Sequence, residues 1–245
     1  MNLTWIGHAT VLIDLGGVRL LTDPLLRPRL GHLRRHGPPP APEVLRDVGA
    51  VLVSHLHFDH LDLASLRRLP SATPLVVPRG AARLLRRHGF PHAHELAAGE
   101  VAEVAGAEVL AVDAVHDGHR RPLGGAAADT LGYVLDRRVY FAGDTDLFAE
   151  MTDLAGIEVA LLPVWGWGPT LGDGHLDPQA AARAAAMLRP RIAMPIRWGT
   201  FYPRGMHRLR ADRLTDPPHE FAAAVARLAP DVKVRVVAPG GSVAV

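Results

Sequence analysis

One short segment of the chain places four possible metal ligands within six residues. The sequence Ser54-His55-Leu56-His57-Phe58-Asp59-His60 follows an apolar run at residues 50–53. An imidazole offers one nitrogen lone pair and a carboxylate offers two oxygens, so an H-x-H-x-D-H pattern can bind one or two borderline cations such as zinc. Helix capping by two of the histidines is the structural alternative, and the density of ligands argues against it. We therefore expect a strand and a tight loop that project these side chains together.

Two further candidates stand alone at the ends of predicted strands. His116 follows the apolar run 111–115, and Asp144 follows the run 139–143. Layered α/β folds gather functional groups at such strand ends. A single histidine or aspartate there is commonly a cap or turn residue, so the role of each depends on whether the fold brings it to the first loop.

Strand and helix candidates alternate along the chain, which favours one layered α/β domain over residues 1–245. Strands are predicted at residues 11–15, 18–22, 50–53, 75–77, 109–115, 139–142, 159–163, 192–195 and 232–237, and helices at 62–69, 79–88, 145–154, 178–188 and 219–228. Asp177 before Pro178 suits a helix N-cap and a first-turn proline. The basic, proline-rich passage 24–42 is expected to be an irregular loop over the site or the surface.

The amino-acid composition limits the kinds of metal ligand and the classes of function that are possible. The 245 residues include no cysteine, which excludes disulfides, thiol nucleophiles and thiolate ligands, so any metal must be bound by histidine and carboxylate. The formal net charge of +2 gives little support for nucleic-acid binding. No stretch is apolar enough for a membrane span, and the amino terminus lacks the features of a signal peptide, so a soluble cytoplasmic protein is expected.

In combination these motifs resemble the metallo-β-lactamase superfamily of metal-dependent hydrolases. The order is the H-x-H-x-D-H loop, then His116, then Gly143-Asp144-Thr145. Four more segments resemble the branch that contains N-acyl-phosphatidylethanolamine phospholipase D and ascorbate-6-phosphate lactonase: Trp5-Ile6-Gly7-His8-Ala9-Thr10, Leu21-Thr22-Asp23-Pro24, Gly174-His175-Leu176-Asp177-Pro178 and Pro195-Ile196-Arg197-Trp198-Gly199-Thr200. The resemblance covers about residues 2–202. It implies a four-layer αβ/βα sandwich of two mixed sheets flanked by helices, with metals at one edge.

The resemblance also implies a set of ligands. A first ion would be held by three histidines, a second would take Asp59 and His60, and Asp144 would bridge the two; the three histidines are His55, His57 and His116. A water ionised by the metals would attack a phosphorus or carbonyl centre. Zinc is the expected metal, although manganese, iron or nickel also suit histidine and carboxylate ligands.

Other residues receive supporting roles from the same resemblance. Asp59 would orient the water or relay its proton, and His175 would lie at the pocket and touch the substrate. His8 and Asp23 would either fix ligand tautomers or stabilise turns. The loop 117–121 could steer an anionic substrate, or its arginines could simply be solvated.

Arg197 departs from the branch, in which a histidine that binds the second metal normally precedes Trp-Gly-Thr. A guanidinium has no free lone pair and does not deprotonate in proteins, so it cannot be a ligand. Three alternatives follow: a one-metal enzyme in which Arg197 pairs with Asp59, Asp144 or an anionic substrate; a two-metal enzyme with His175 as replacement ligand; or a non-hydrolytic relative. The first is favoured because an arginine fork suits carboxylate and phosphate groups.

The sequence therefore predicts a metal-dependent hydrolase with one or two ions per chain. Its substrate would be a small anionic or ester molecule with a phosphodiester, lactone or other ester bond. A metal-binding or sensor-like relative without turnover is the alternative. A nuclease is a third possibility, opposed by the small net charge and the absence of an appended nucleic-acid module. Because relatives often associate, a homo-oligomer is also possible.

Overall fold

Two large β-sheets and a few helices make up the fold. The computed structural model describes residues 1–121, 124–206 and 210–245. The strands, in chain order, are β1 (Asn2–Gly7), β2 (Thr10–Leu15), β3 (Val18–Thr22), β4 (Arg29–Leu30), β5 (Leu33–Arg35), β6 (Ala50–Leu52), β7 (Leu75–Pro78), β8 (Ala93–Leu96), β9 (Val101–Val104), β10 (Ala107–Asp113), β11 (His119–Arg121), β12 (Gly124–Ala127), β13 (Leu131–Leu135), β14 (Val139–Phe141), β15 (Val159–Pro163), β16 (Ile192–Ile196), β17 (Phe201–Pro203), β18 (Lys233–Val234) and β19 (Ser242–Ala244). The helices are α1 (Leu63–Leu66), α2 (Ala82–Arg87), α3 (Pro178–Leu188), α4 (Asp212–Thr215) and α5 (Pro217–Leu228), with 3₁₀ turns at Pro42–Leu45 and Ala149–Leu154.

Both large sheets are mixed. The first has the order β19-β1-β2-β3-β6-β7-β8, and the second has the order β18-β16-β15-β14-β13-β10-β9. In the first sheet the strands from β3 to β8 run parallel, and in the second those from β14 to β18 do. Two small sheets, β11-β12 and β17-β5-β4, complete the topology.

Alternation along the strands separates two hydrophobic cores. In β2, Val11 and Ile13 join the core shared with the second sheet and with α3 and α5. Leu12 points the other way, into a core with Leu66 of α1 and Leu85 of α2. Successive side chains of a strand face opposite sides of the sheet, so the helices cover the outer faces and the sheets pack between them. The predicted four-layer αβ/βα sandwich is confirmed.

The secondary structure agrees with the sequence where the local signals were strong. The strand predicted at 159–163 is β15, and the helix predicted at 178–188 is α3, whose N-cap Asp177 accepts a hydrogen bond from the Ala180 N–H at 2.7 Å. Several predictions were too long, including the helices at 62–69 and 79–88, which are α1 (Leu63–Leu66) and α2 (Ala82–Arg87). The helix at 145–154 is only a 3₁₀ turn over Ala149–Leu154, and the strand at 232–237 is reduced to β18. The single domain over residues 1–245 stays a prediction.

The proline-rich passage 24–42 is more ordered than the sequence suggested. It contains β4 and β5, and β5 pairs with β17, directly after the Arg197 loop. The reason is Arg35, which is buried and donates hydrogen bonds to backbone carbonyls, including that of Ile6 at 3.1 Å, while its guanidinium lies 4.9 Å from the Phe201 ring centroid. The expectation of an irregular loop was wrong for residues 29–35.

The candidate site residues lie in loops at one edge of the two sheets. The loops follow β1, β3 and β6 in the first sheet and β10, β14, β15 and β16 in the second. Strand ends at such an edge gather side chains that are far apart in sequence. No helix in the described ranges has the length and apolarity needed to cross a membrane.

Candidate metal centre

Three imidazoles from two loops converge at this edge. His55 Nε2 lies 3.0 Å from His57 Nδ1, and His57 Nδ1 lies 3.1 Å from His116 Nε2. One ligand atom from each ring lies within 4.8 Å of the others. Ligands bound to a tetrahedral zinc at 2.0–2.1 Å are themselves about 3.3 Å apart. The spacing therefore matches nitrogens that share one cation.

The neighbours of two rings fix which nitrogen carries the proton. His116 Nδ1 lies 2.8 Å from the carbonyl oxygen of Gly174, which can only accept a hydrogen bond. The Ser54 hydroxyl donates to Asp23 Oδ2 at 2.6 Å. His55 Nδ1, 2.9 Å from the Ser54 Oγ, must therefore be the donor in that contact. In both rings Nε2 is left with a free lone pair directed into the cluster.

The three rings do not carry enough protons to give both His55 Nε2 and His116 Nε2 a hydrogen bond. A proton on His57 Nδ1 can be donated to His55 or to His116, and the other acceptor then stays unpaired at a partly closed site, which costs free energy. Burial lowers the pKa of His55 and His57, and it lowers the pKa of His116 to about 4. The rings are therefore neutral at pH 7, as metal ligation requires.

Asp144 supplies a carboxylate beside the three rings. Both of its oxygens are buried without a hydrogen bond of good geometry. Oδ2 faces His55 Nε2 at 3.8 Å and His116 Nε2 at 3.9 Å. Burial raises the pKa of Asp144, but Arg197 and His60 hold it well below its usual range. A buried carboxylate with unused lone pairs and three neutral imidazoles form a donor set that fits zinc.

Arg197 lies on the other side of this carboxylate. Its Nε is 2.6 Å from Asp144 Oδ1, its Nη2 is 3.3 Å from Asp59 Oδ2, and its Nη1 donates to the Trp165 carbonyl at 3.0 Å. Only 4% of the side chain is exposed. The residue has a left-handed backbone, with φ of 62°, and its N–H donates to the His8 carbonyl at 2.9 Å. The guanidinium is held by the protein and is covered from solvent.

Asp59 and His60, the predicted ligands of a second ion, belong to the same buried network. His60 Nδ1 donates to Asp23 Oδ2 at 2.6 Å, and His60 Nε2 lies 3.1 Å from Asp144 Oδ2. Burial alone would lower the pKa of His60, but Asp144, Asp59 and Asp23 raise it to about 10. Asp59 accepts a hydrogen bond from His8 Nε2 at 3.0 Å. Burial raises the pKa of Asp59, but His60, His8 and Arg197 hold it well below its usual range.

His175 lies on the more open side of the cluster. Its Nδ1 contacts the carbonyl oxygens of Gly172 and Asp173 at 3.0 and 2.9 Å, so Nδ1 carries a proton and donates it to these oxygens. Nε2 is 3.5 Å from Asp144 Oδ2, and the ring centroid is 4.6 Å from that of His116. The side chain is 18% exposed, so it can meet an incoming molecule.

Arg120 has a different role from the one expected of loop 117–121. Its Nη1 donates to the carbonyls of Leu56 at 2.6 Å and Leu61 at 3.2 Å, and its guanidinium lies 4.3 Å from the Phe58 ring centroid. It therefore ties together the two ends of the loop that carries His57, and its half-buried guanidinium is engaged within the protein. Residues about 60 positions apart make this contact, so local sequence patterns could not reveal it.

Comparison with known families and structures gives consistent matches. A family model described as a beta-lactamase superfamily domain matches residues 18–198. A UPF0173 metal-dependent hydrolase of Methanopyrus kandleri is 34% identical over 253 residues, covering 99% of each chain. The N-acyl-phosphatidylethanolamine-hydrolyzing phospholipase D 1 of Caenorhabditis elegans is 31% identical over 82% of this chain and 64% of that protein. The metallo hydrolase Igni18 of Ignicoccus hospitalis aligns with a TM-score of 0.71 at 25% identity, over 99% of this chain and 97% of that one.

Proposed function

The chain belongs to the metallo-β-lactamase superfamily, and from that premise we propose that it is a metal-dependent hydrolase of a phosphodiester, lactone or other ester. The observation that carries the proposal is the convergence of ring nitrogens from His55, His57 and His116, where His57 Nδ1 lies 3.0 Å from His55 Nε2 and 3.1 Å from His116 Nε2. Asp144 would add a fourth ligand through Oδ2, the oxygen that faces His55 and His116.

Zinc is the proposed metal because the donor set is three imidazoles and a carboxylate without sulfur. When bound, such an ion supplies a hydroxide nucleophile near neutral pH and withdraws charge from the oxygen of the bond under attack. The chain's contribution is to keep the imidazoles neutral and correctly oriented. Burial keeps His55 and His116 neutral, and Ser54 and the Gly174 carbonyl orient these two rings.

Asp59 and His175 are the proposed partners of the attacking water and of the substrate. Because the pKa of Asp59 lies well below its usual range, its carboxylate stays ionised and accepts a hydrogen bond, which suits orientation of a water better than uptake of its proton. His175, which is 18% exposed on the open side of the cluster, is placed to contact the substrate.

The class of bond that is cleaved is proposed from the name of a relative. The name of the Caenorhabditis elegans relative describes cleavage of a phospholipid phosphodiester, which supports a phosphodiester as the first substrate class to test. Carboxylic esters and lactones call for the same nucleophile. A small anionic or ester substrate therefore remains the proposal.

A metal-binding protein without turnover is the second candidate. The observation in its favour is Arg197, whose guanidinium contacts both Asp59 and Asp144. These carboxylates would otherwise be available to a second ion. One experiment separates the two candidates, because both require metal binding and only the hydrolase requires metal-dependent turnover.

The test is hydrolysis of bis(p-nitrophenyl) phosphate, p-nitrophenyl esters and simple lactones by protein stripped with EDTA and reloaded with Zn²⁺ or Mn²⁺. We expect metal-dependent turnover that is lost in His116→Ala and kept in the control His119→Ala. His119 is exposed, lies three residues further along, and pairs only with Asp117 among the described side chains. Tight metal binding with no rate above the metal blank would favour the non-catalytic candidate. Equal rates in His116→Ala and the unaltered protein would refute the proposed site.

A further inference from the structure

We propose that Arg197 takes the place of a second metal ion, so that the site binds one divalent cation and uses the guanidinium as a permanent internal cation. The inference rests on the proposed function in one respect, since it assumes a first ion at His55, His57 and His116. It goes beyond that function because it fixes the number of ions and the partner of the bridging carboxylate.

The neighbours of the two Asp144 carboxylate oxygens are the first observation. These two oxygens have different neighbours: Oδ2 lies 3.1 Å from His60 Nε2 and faces the ring nitrogens of His55 and His116 at 3.8 and 3.9 Å, and Oδ1 lies 2.6 Å from Arg197 Nε. A carboxylate that bridges two metals has a cation on each side. Here the Oδ2 side faces the three histidines of the proposed first site together with His60, and the Oδ1 side already has the guanidinium of Arg197.

The contacts of the Asp59 carboxylate are the second observation. Arg197 Nη2 lies 3.3 Å from Asp59 Oδ2, and His8 Nε2 donates to the same oxygen at 3.0 Å. Both carboxylates that could neutralise a second ion are therefore already paired with the guanidinium. Arginine offers no lone pair and keeps its proton, so it repels a divalent ion at this place and cannot ligate one.

The backbone and burial of Arg197 show that this arrangement is built in. The side chain is 4% exposed, Nη1 donates to the Trp165 carbonyl at 3.0 Å, and the N–H donates to the His8 carbonyl. A non-glycine residue at φ of 62° is held there by its surroundings, and such outliers cluster at functional sites. The guanidinium therefore has a fixed position and does not reach out to a substrate.

The rival arrangement, a second ion with His175 as ligand, does not fit the same geometry. His175 approaches Asp144 at Oδ2, the oxygen that faces the three-histidine cluster, and its ring lies 4.6 Å from the ring of His116. It adds a nitrogen to the surroundings of the first ion. The Oδ1 side of Asp144, where a second ion would need ligands, has Arg197.

The test counts zinc ions per chain. Protein stripped with EDTA is reloaded with Zn²⁺, passed through gel filtration, and measured for zinc and protein. We expect one ion in the unaltered protein and two in Arg197→His, because the new imidazole would stand beside Asp59, His60 and Asp144. Histidine is among the residues that tolerate positive φ, so this variant suits the backbone. Arg197→Lys keeps the positive charge and is the matched control, with one ion expected.

Each possible zinc count either supports or overturns the inference. Two ions in the unaltered protein would overturn the inference and leave the proposed hydrolase intact. One ion in Arg197→His, shown by circular dichroism to be folded, would also overturn it. No ion in the unaltered protein would refute the proposed metal site and the inference together. If Arg197→His fails to fold, the counts for the unaltered protein and for Arg197→Lys still decide, with two ions in either one refuting the inference.

Discussion

Replacing Arg197 with methionine removes a buried positive charge while keeping a long, flexible side chain. The guanidinium is 4% exposed and contacts the carboxylates of Asp59 and Asp144. Breaking a buried ion pair by removing one partner typically costs about 3–5 kcal/mol, because the other charge is left without compensation. We expect Arg197→Met to lose stability in that range at pH 8 in the presence of EDTA.

The loss should depend on pH with a definite sign. In the unaltered protein the pKa values of Asp59 and Asp144 lie well below the usual range, so their stabilisation is complete at pH 5 and at pH 8. Without the guanidinium, which has the largest lowering effect on the pKa of Asp144, burial raises that pKa and lets the Asp144 carboxyl group take up a proton as the pH falls, whereas His60 and His8 still hold down the pKa of Asp59. The deficit of Arg197→Met should therefore be larger at pH 8 than at pH 5.

The assay is urea unfolding followed by tryptophan fluorescence, with Arg191→Met as the control. Arg191 is an exposed arginine whose Nη2 lies 3.3 Å from Glu158 Oε2, and exposed pairs contribute less than about 1 kcal/mol. If Arg197→Met is no less stable than Arg191→Met at pH 8, or if its deficit grows toward pH 5, the account of Arg197 as the compensating cation is refuted.

Three further predictions concern the metal ligands and their support. Ser54→Ala removes the hydroxyl that keeps the proton of His55 on Nδ1, so zinc affinity should fall about 10–100-fold in a chelator competition, and an unchanged affinity would contradict the tautomer assignment. Arg120→Met should weaken zinc binding by about tenfold and speed proteolysis within residues 56–61, whereas the same change at the exposed Arg121 should do neither. The pKa of His116 is lowered to about 4, and the pKa values of His55 and His57 are also lowered, so zinc affinity should fall only a few-fold from pH 8 to pH 6. Three imidazoles with ordinary pKa values would lose affinity roughly 50-fold over the same range. A fall of that size would contradict the assigned pKa shifts.

The sequence predicted the elements whose signals are local. The helix α3 has an aspartate N-cap, a first-turn proline and an apolar face, and the structure begins and ends it where these signals stand. The strand β15 is a continuous apolar run buried on both faces. Between residues 24 and 42 the signals misled, because prolines mark irregular backbone whereas pairing of β5 with the distant β17 gives two short strands.

The candidate site likewise contains residues that the sequence identified and residues that it did not. Dense histidine spacing and strand ends marked residues 55–60, 116 and 144 as candidates, and the resemblance to the metallo-β-lactamase superfamily joined them into one hypothesis. The structure gathers them at one edge. The partners of Arg197 stayed open among two carboxylates and a substrate, since the direction of a long side chain depends on tertiary packing. Arg120 and the carbonyl of Gly174 were missed because they act through contacts with distant segments, which neither spacing nor residue type reveals.

The central claim is that three imidazoles bind one ion and that Arg197 stands where another would be. An anomalous-difference map of a zinc-loaded crystal tests it most directly. The account predicts one peak at about 2.0–2.1 Å from His55 Nε2, His57 Nδ1 and His116 Nε2, with the guanidinium still against Asp144. A peak between Asp59 and His60, or no peak among the three histidines, would contradict it.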